Sequence, residues 1–514
     1  MWQDAIEYST SLYYISPHIA IKTVILYNRR KFSKGSVYLS ILSNNLKKAI
    51  ELSGTTIYSL AKEINYDRGT LNKQLNGQRK LTKDVFFKII NFINITTPRK
   101  LELIDLFHQE LFESYYYTFN LIKDSFSTYS KTIINGYNSN ASELSVCNIN
   151  LDNYQFIQSE SAIISIIKSI ILSELERKNP KIYFNFNVTN QDLIAFFLNI
   201  YIKNSSKLDI KNILQFSCSE NNSANNLNKF IKILPLLLHG YCPYYYYSDG
   251  NIKSETSMIF PYYFISSNEV ILISIDFDKA LVFTDKSIVQ IYQKQFFAGI
   301  AKCKQFKYRS SSLLEMPYLF SDCIDSNPKI TIGSLNEKFC ALPFMSDKHL
   351  TQMLSNTINN HEIFIKDLMN CYKTVNDFIA LVPVESIKEF IETGTDCHTT
   401  NDLAEPLSMK QRIEILETTK MCISNGQKYL FYKKNEFFCL NLTFHKMSDS
   451  KILFFNSDNN TDKNSISVIT TPSGLLTELD CFFNALCKSC YVVSKEESLK
   501  YIEEGIEYAK SLLA

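Results

Sequence analysis

The stretch "LAKEINYDRGTLNKQLNGQR", Leu60–Arg79, has helical periodicity but also an internal break. Leu60, Ala61 and Ile64 lie on one face of a helix that begins near Thr56, a favourable N-cap. Asn65 stands where that helix should stop, because Asn tolerates the left-handed conformation that ends helices. Asp67 can then cap the next helix, with Tyr66 placed to staple onto Leu71. Leu71 and Leu75 continue the buried face, and Gly77 ends this second helix. Leu81 and Thr82 repeat the device, with Thr82 as cap and Leu81 stapled to Phe86. A longer helix follows, carrying Val85, Phe86, Ile89, Ile90 and Ile93.

Two short helices joined by a tight turn, the second with an exposed polar face, read as a helix-turn-helix. The upstream segment "LSNNLKKAIELSG" supplies a first helix, with Leu46, Ile50 and Leu52 expected inward. Over about residues 41–95 the chain resembles the lambda-repressor/Cro type helix-turn-helix of the XRE family. The resemblance rests on Leu60-Ala61 in the positioning helix, Arg68, Thr70 and Leu71 in the recognition helix, and Asn76-Gly77-x-Arg79 after it. The sequence departs from the family pattern at three positions. Asn65 replaces the usual turn Gly, and Ile57 replaces a polar residue, often Gln, that commonly holds phosphate. Gly69 replaces a typical Ser, at roughly 1 kcal/mol of helix stability relative to Ala.

The resemblance implies binding to double-stranded DNA, with the second helix entering the major groove. Arg68, Gly69, Asn72 and Lys73 then lie on the exposed first turns of the recognition helix, with Thr70 beside them. Arg68 suits guanine and Asn72 suits adenine by bidentate geometry. Thr56, Lys62, Arg79 and Lys80 are placed for phosphates, which position the protein without specifying sequence. Local charge agrees. Residues 41–100 hold eleven Lys and Arg against four Asp and Glu, whereas the whole chain carries a net charge of only +2.

With 514 residues, 45% hydrophobic and 21% charged, the chain is globular in composition and long enough for several domains. Its 13 Cys show no disulfide framework and read as reduced thiols. Cys481, Cys487 and Cys490 include one C-x-x-C, but no second pair or nearby His completes a metal site, so core or helix-surface thiols are expected. No apolar run approaches the ~20 residues needed to span a bilayer. Asp4 and Glu7 stand where an export signal needs positive charge. Residues 1–36 therefore read as an N-terminal extension, closed by Arg29, Arg30, Lys31 and Lys34 as a solvated linker or a phosphate-touching arm.

"LELIDLFHQELFESYYYTFNLIKDSF" reads as one long connector helix, and a polar boundary follows near 125–155. From 160 to 310 helices alternate with strands, which suggests an α/β domain. From about 325, runs of helices and then runs of strands suggest α+β. Both parts end in strands followed by a Phe-rich helix, a hint of degenerate duplication. No phosphate-binding loop, dinucleotide fingerprint, zinc-protease or nucleophile-elbow motif occurs. His239 reads as a helix C-terminal residue, and His361-Glu362 lacks a second His. "YCPYYYYSDG" reads as an edge strand, or as the wall of an aromatic pocket.

The expected organisation is multidomain. It comprises an extension (1–36), an all-α helix-turn-helix domain with connector helix (37–120), an α/β domain (155–312) and an α+β domain (325–514). The expected activity is that of a cytoplasmic, sequence-specific transcriptional regulator, not an enzyme, needing no cofactor or metal and making no membrane contact. It would act as a homodimer whose C-terminal region senses a small-molecule or peptide effector, or mediates dimerisation. Two alternatives remain open at this point: an enzyme with an appended DNA-binding domain, and a helix-turn-helix used only for protein contacts.

Overall fold

The structure is a computed structural model. It describes residues 40–138, 154–219, 222–248, 259–312, 331–353, 377–396, 405–433, 443–448, 451–455, 465–472 and 474–513, with a few isolated residues between them. The 1–36 extension, its basic cluster and His361-Glu362 lie outside the described residues. The chain forms two compact units, one ending at Glu110 and the other running from Leu111.

The first unit is helical: α1 (Ile41–Leu52), α2 (Ile57–Glu63), α3 (Arg68–Leu75), α4 (Lys83–Phe92) and most of α5 (Thr97–Phe112). Leu46, Ile50, Leu60, Leu71, Leu75, Phe86, Ile89 and Leu103 are buried at its centre, where Phe86 stacks on Phe107 with ring centroids 4.4 Å apart. One inward assignment fails: Leu52 is 84% exposed, because the last turn of α1 rotates it off the buried face. Thr82 occupies the N-cap of α4 but makes no side-chain cap bond.

The long connector helix is also corrected. It is interrupted by a 3-10 turn at Glu113–Tyr115, where Glu113 takes a φ of 49°, and it restarts as α6 (Tyr116–Asn138). The first compact unit thus ends short of 120, and α6 belongs with the second unit. Phe119, Ile122 and Phe126 of α6 are buried in that unit's core.

The second unit holds two sheets with one topology. The first is built from β1 (Tyr154–Gln158), β2 (Lys181–Phe184), β3 (Asp209–Ser217), β4 (Tyr244–Ser248), β5 (Tyr262–Ile265), β6 (Val270–Ile273), β7 (Lys279–Phe283) and β8 (Lys304–Gln305). The second contains β9 (Lys307–Ser312), β10 (Thr331–Leu335), β11 (Asp377–Pro383), β12 (Lys428–Tyr432), β13 (Thr443–Lys446), β14 (Lys451–Phe455) and β15 (Ser465–Thr470). Apart from the appended β8, the orders are β4-β3-β2-β5-β6-β7-β1 and β12-β11-β10-β13-β14-β15-β9. In each, three strands run parallel. In each, four more continue antiparallel, and the strand that comes first in sequence pairs with the last of the meander.

The helices match in part. α7 (Glu160–Leu175), α8 (Gln191–Asn204) and α9 (Ser223–Leu237) follow β1, β2 and β3. α10 (Lys286–Ile300) follows β7. In the second half, α11 (Asp347–Met353) lies between β10 and β11, and α12 (Ser386–Thr393) and α13 (Met409–Ser424) lie between β11 and β12. α14 (Thr477–Lys488) follows β15, and α15 (Lys495–Ser511) closes the chain. The hinted duplication is therefore present as topology. The last part combines helices with a mixed sheet, in which β10, β11 and β12 are parallel strands with intervening helices and the other four strands are antiparallel. The expected limit at 312 fails, because β9 leaves the first half to pair with β15. The halves share one core, in which Leu214, Phe216 and Phe230 join Leu335, Phe444 and Phe482.

Cys481 and Cys487 lie on α14 and Cys490 just beyond it. Among the described residues, no group of three or more His, Cys, Asp or Glu could hold a metal ion, and no helix is long and apolar enough to cross a membrane. In the tyrosine strand β4, Tyr245 is buried against Phe306 while Tyr246 and Tyr247 are 40% and 38% exposed.

Candidate nucleic-acid interface

The break at Asn65 is a Schellman turn. Asn65 adopts a φ of 50°, its N–H donates to the Lys62 carbonyl, and the Tyr66 N–H donates to the Ala61 carbonyl at 2.9 Å. The same bond pair closes α3, where Gly77 has a φ of 69° and the Gln78 N–H reaches the Lys73 carbonyl. Each following or preceding helix end is capped from the sequence. Thr56 and Ser59 form a reciprocal capping box on α2. Asp67 Oδ1 accepts from the Thr70 N–H at 2.7 Å at the start of α3. Hydrogen bonds from the Thr70 side chain and backbone hold the Asp67 carboxyl below the usual carboxylate range.

α3 buries only Leu71, Gln74 and Leu75, which leaves the rest of its circumference outward. Arg68, Gly69, Asn72 and Lys73 are exposed on it, as are Thr56, Lys62, Arg79 and Lys80 around it. Among the described residues, no carboxylate pairs with Lys62, Arg68, Lys73, Arg79 or Lys80; an ion pair elsewhere in this unit is Arg99–Glu102. Two of the named residues are engaged in cap bonds, Thr56 as a cap and Thr70 as a donor to one. Thr70 is half-buried beside Asp67, and the Thr56 hydroxyl is shared with Ser59.

Three contributors escape the sequence reading. Gln74 is buried, and its amide donates to the Lys80 carbonyl at 3.1 Å, which ties the loop after α3 back onto the helix. Its position beside Leu71 and Leu75 is the available signal, overlooked because Gln is polar. Asn76 accepts from Lys47 Nζ and donates to Asn72 Oδ1 at 3.3 Å, so α1 braces the side chain of Asn72. The exposed Tyr58 ring lies 5.8 Å from the Arg68 guanidinium, a cation–π contact between α2 and α3. Neither tertiary contact has a local sequence signal.

Gly69 has room for a side chain. A Cβ there would meet only Asp67 Oδ1, at 3.5 Å. Gly69→Ala is therefore expected to stabilise the helical unit by up to about 1 kcal/mol. For a domain of this size that is a rise in melting temperature of about 4–8 °C. Thermal unfolding of residues 40–110 checks it. An unchanged or lower melting temperature would refute the open space read at this position.

Comparison with known proteins agrees with this geometry in one place. A family model described as "Helix-turn-helix" matches residues 46–100. No curated protein matches the chain. Among solved structures, a phosphatidylserine synthase from Haemophilus influenzae Rd KW20 aligns at 11% identity over 70% of this chain and 92% of its own, with a TM-score of 0.26. The archaeal chromatin protein TrmBL2 aligns at 12% identity over 50% of this chain and 99% of its own, with a TM-score of 0.22. A polyphosphate kinase from Porphyromonas gingivalis aligns at 9% identity over 69% of this chain and 56% of its own, with a TM-score of 0.21. Similarity at this level carries no argument about function. The caps, the Schellman turn, the exposed face of α3 and the family match converge on one segment: residues 46–100 are a helix-turn-helix domain of the XRE type.

Proposed function

We propose that this protein is a sequence-specific DNA-binding transcriptional regulator that acts in the cytoplasm and is not an enzyme. The observation that carries the reading is the set of exposed cations on and around α3 (Lys62, Arg68, Lys73, Arg79 and Lys80), none paired with a carboxylate among the described residues. An unneutralised basic face around a helix whose first turns are polar and outward is what phosphate anchoring with major-groove readout requires. A single helix-turn-helix reads few base pairs. A homodimer on two half-sites is therefore part of the proposal, with the C-terminal unit supplying self-association and the seat of an effector.

The test is a DNA titration at several salt concentrations. Alanine substitution of Lys73, Arg79 or Lys80 is expected to weaken binding on all sequences alike, and to reduce the salt slope by about one for each phosphate left unneutralised. Unchanged slopes for all three variants would remove this face from the DNA interface. An absence of salt-dependent DNA binding in the parent would favour a helix-turn-helix used only for protein contacts.

A further inference from the structure

The first sheet ends in a polar cavity of about 430 Å³. It lies beyond the carboxyl ends of its three parallel strands: Asn185 and Asn187 follow β2, Gln215 and Ser217 end β3, and Ser248 ends β4. β2 is also where the sheet changes from parallel to antiparallel pairing. Crevices outside the carboxyl ends of parallel strands are the usual ligand seats of open α/β sheets. α9 forms the opposite wall, from its N-cap Asn222 to Lys232.

The wall chemistry is specific. Lys229 and Lys232 are three residues apart on α9 and both half-buried. Lys229 Nζ donates to the Gln215 carbonyl at 3.0 Å. Neither lysine has a carboxylate partner among the described residues, and burial pushes both ammonium groups down from their ordinary range. Among the described residues that line the cavity, the two lysines outnumber the one carboxylate, Asp276. Asn222 makes no side-chain cap bond, and Ser223 Oγ in the first turn of α9 donates to Glu478 Oε2 at 2.6 Å, so the helix end itself is already met by a carboxylate and the two lysines alone carry the cavity's positive charge. Asn187 Oδ1 is buried without a hydrogen-bond partner among the described residues, an acceptor awaiting a donor.

Two half-buried cations on one helix face are costly unless an anion meets them. We propose that the cavity binds a small phosphorylated metabolite, its phosphate held between Lys229 and Lys232 and its hydroxyl groups bonded to the amide-rich wall around Asn187. As an effector site of a DNA-binding regulator it rests on the function proposed above. As a phosphate site it does not, and the experiment is run without DNA.

Full-length protein is titrated with glucose 6-phosphate, with inorganic phosphate and with unphosphorylated glucose, following ³¹P line broadening for the first two and the melting temperature for all three at constant ionic strength. Both phosphates are expected to bind, glucose 6-phosphate at least as tightly, and glucose not to bind. Lys229→Gln and Lys232→Gln should each weaken phosphate binding at least tenfold. In chloride alone each variant should melt no lower than the parent, because an unpaired half-buried charge has been removed. Arg79→Ala in the helix-turn-helix should leave the cavity's phosphate binding unchanged. Absent phosphate binding, binding indifferent to both lysine variants, or a loss with Arg79→Ala instead would overturn the proposal. If the variants melt well below the parent in chloride, the lysines are structural and the proposal also fails.

Discussion

A fragment that begins at residue 155 is expected to misfold, whereas one that begins at Leu111 should fold cooperatively. The polar stretch after α6 looks like a natural cut point, but it lies on the wrong side of a core helix. Phe119, Ile122 and Phe126 of α6 are at most 3% exposed. Phe119 stacks on Phe482 at 5.4 Å and Phe126 on Phe444 at 5.7 Å, so α6 closes the core where the two halves meet. Ser125 Oγ also lies 2.6 Å from Asn228 Oδ1, which ties α6 to α9. Burying one such side chain is worth about 1.5–3 kcal/mol. Three together amount to roughly 5–9 kcal/mol, comparable with the whole stability of a typical domain, about 5–15 kcal/mol. The truncated fragment would expose Phe444 and Phe482 as well, an apolar patch that favours aggregation. Thermal unfolding and sedimentation of the 111–514 and 155–514 fragments decide the matter. A 155–514 fragment that melts cooperatively within a few degrees of the longer one would mean that α6 is dispensable. The same sedimentation run tests the proposed dimer, since a monomeric 111–514 fragment would move self-association elsewhere.

The contrast between the two units shows which physics is legible in a single sequence. In the helix-turn-helix every decisive signal is local. Thr56, Asp67 and Gly77 act within four residues of their own positions, and Asn65 meets the one requirement its turn imposes. In the second unit the decisive signals are long-range. β9, "KYRSSS", has no apolar alternation and becomes a strand because β15, more than 150 residues away, offers it an edge. β1 lies at the end of a polar stretch and pairs with β7 across more than 120 residues. The parallel β10, β11 and β12 were not legible for the same reason, since strand direction is a property of pairing and not of composition. The break at Glu113 has no local signature, because Glu, unlike Asn at position 65, carries no preference for positive φ. At the face proposed to bind DNA, the exposed residues followed from helical period. The braces did not: Tyr58 and Asn76 act through contacts with Arg68 and Lys47 on other helices, and Gln74 is polar although its position beside Leu71 and Leu75 is inward.

Those braces bear on the last expected result, which concerns base recognition. Arg68→Ala and Asn72→Ala should each lower affinity for the preferred site by about 1–3 kcal/mol, roughly 5- to 150-fold, and relax selectivity at the base pair concerned. Arg68 presents a fork of donors, and the neighbouring Tyr58 ring limits its rotamers before DNA arrives. Tyr58→Ala should therefore weaken binding through Arg68, by less than loss of the arginine itself. Asn72 is in a different position. A bidentate contact with adenine uses both its amide and its carbonyl, yet its carbonyl accepts from Asn76 Nδ2 in the free protein. That bond is exposed, and exchanging it costs little, since a net hydrogen bond is worth about 0.5–1.5 kcal/mol. The bond still orients the side chain, and Lys47 fixes Asn76 in turn. Asn76→Ala should then loosen selectivity at the Asn72 position while leaving the Arg68 position intact, a pattern that a general loss of folding could not produce. Selection of binding sites from random DNA with the parent and the four variants distinguishes these outcomes. If Arg68→Ala and Asn72→Ala both return the parent's motif at the parent's stringency, α3 does not read bases through this face, and the cations around it only anchor phosphate.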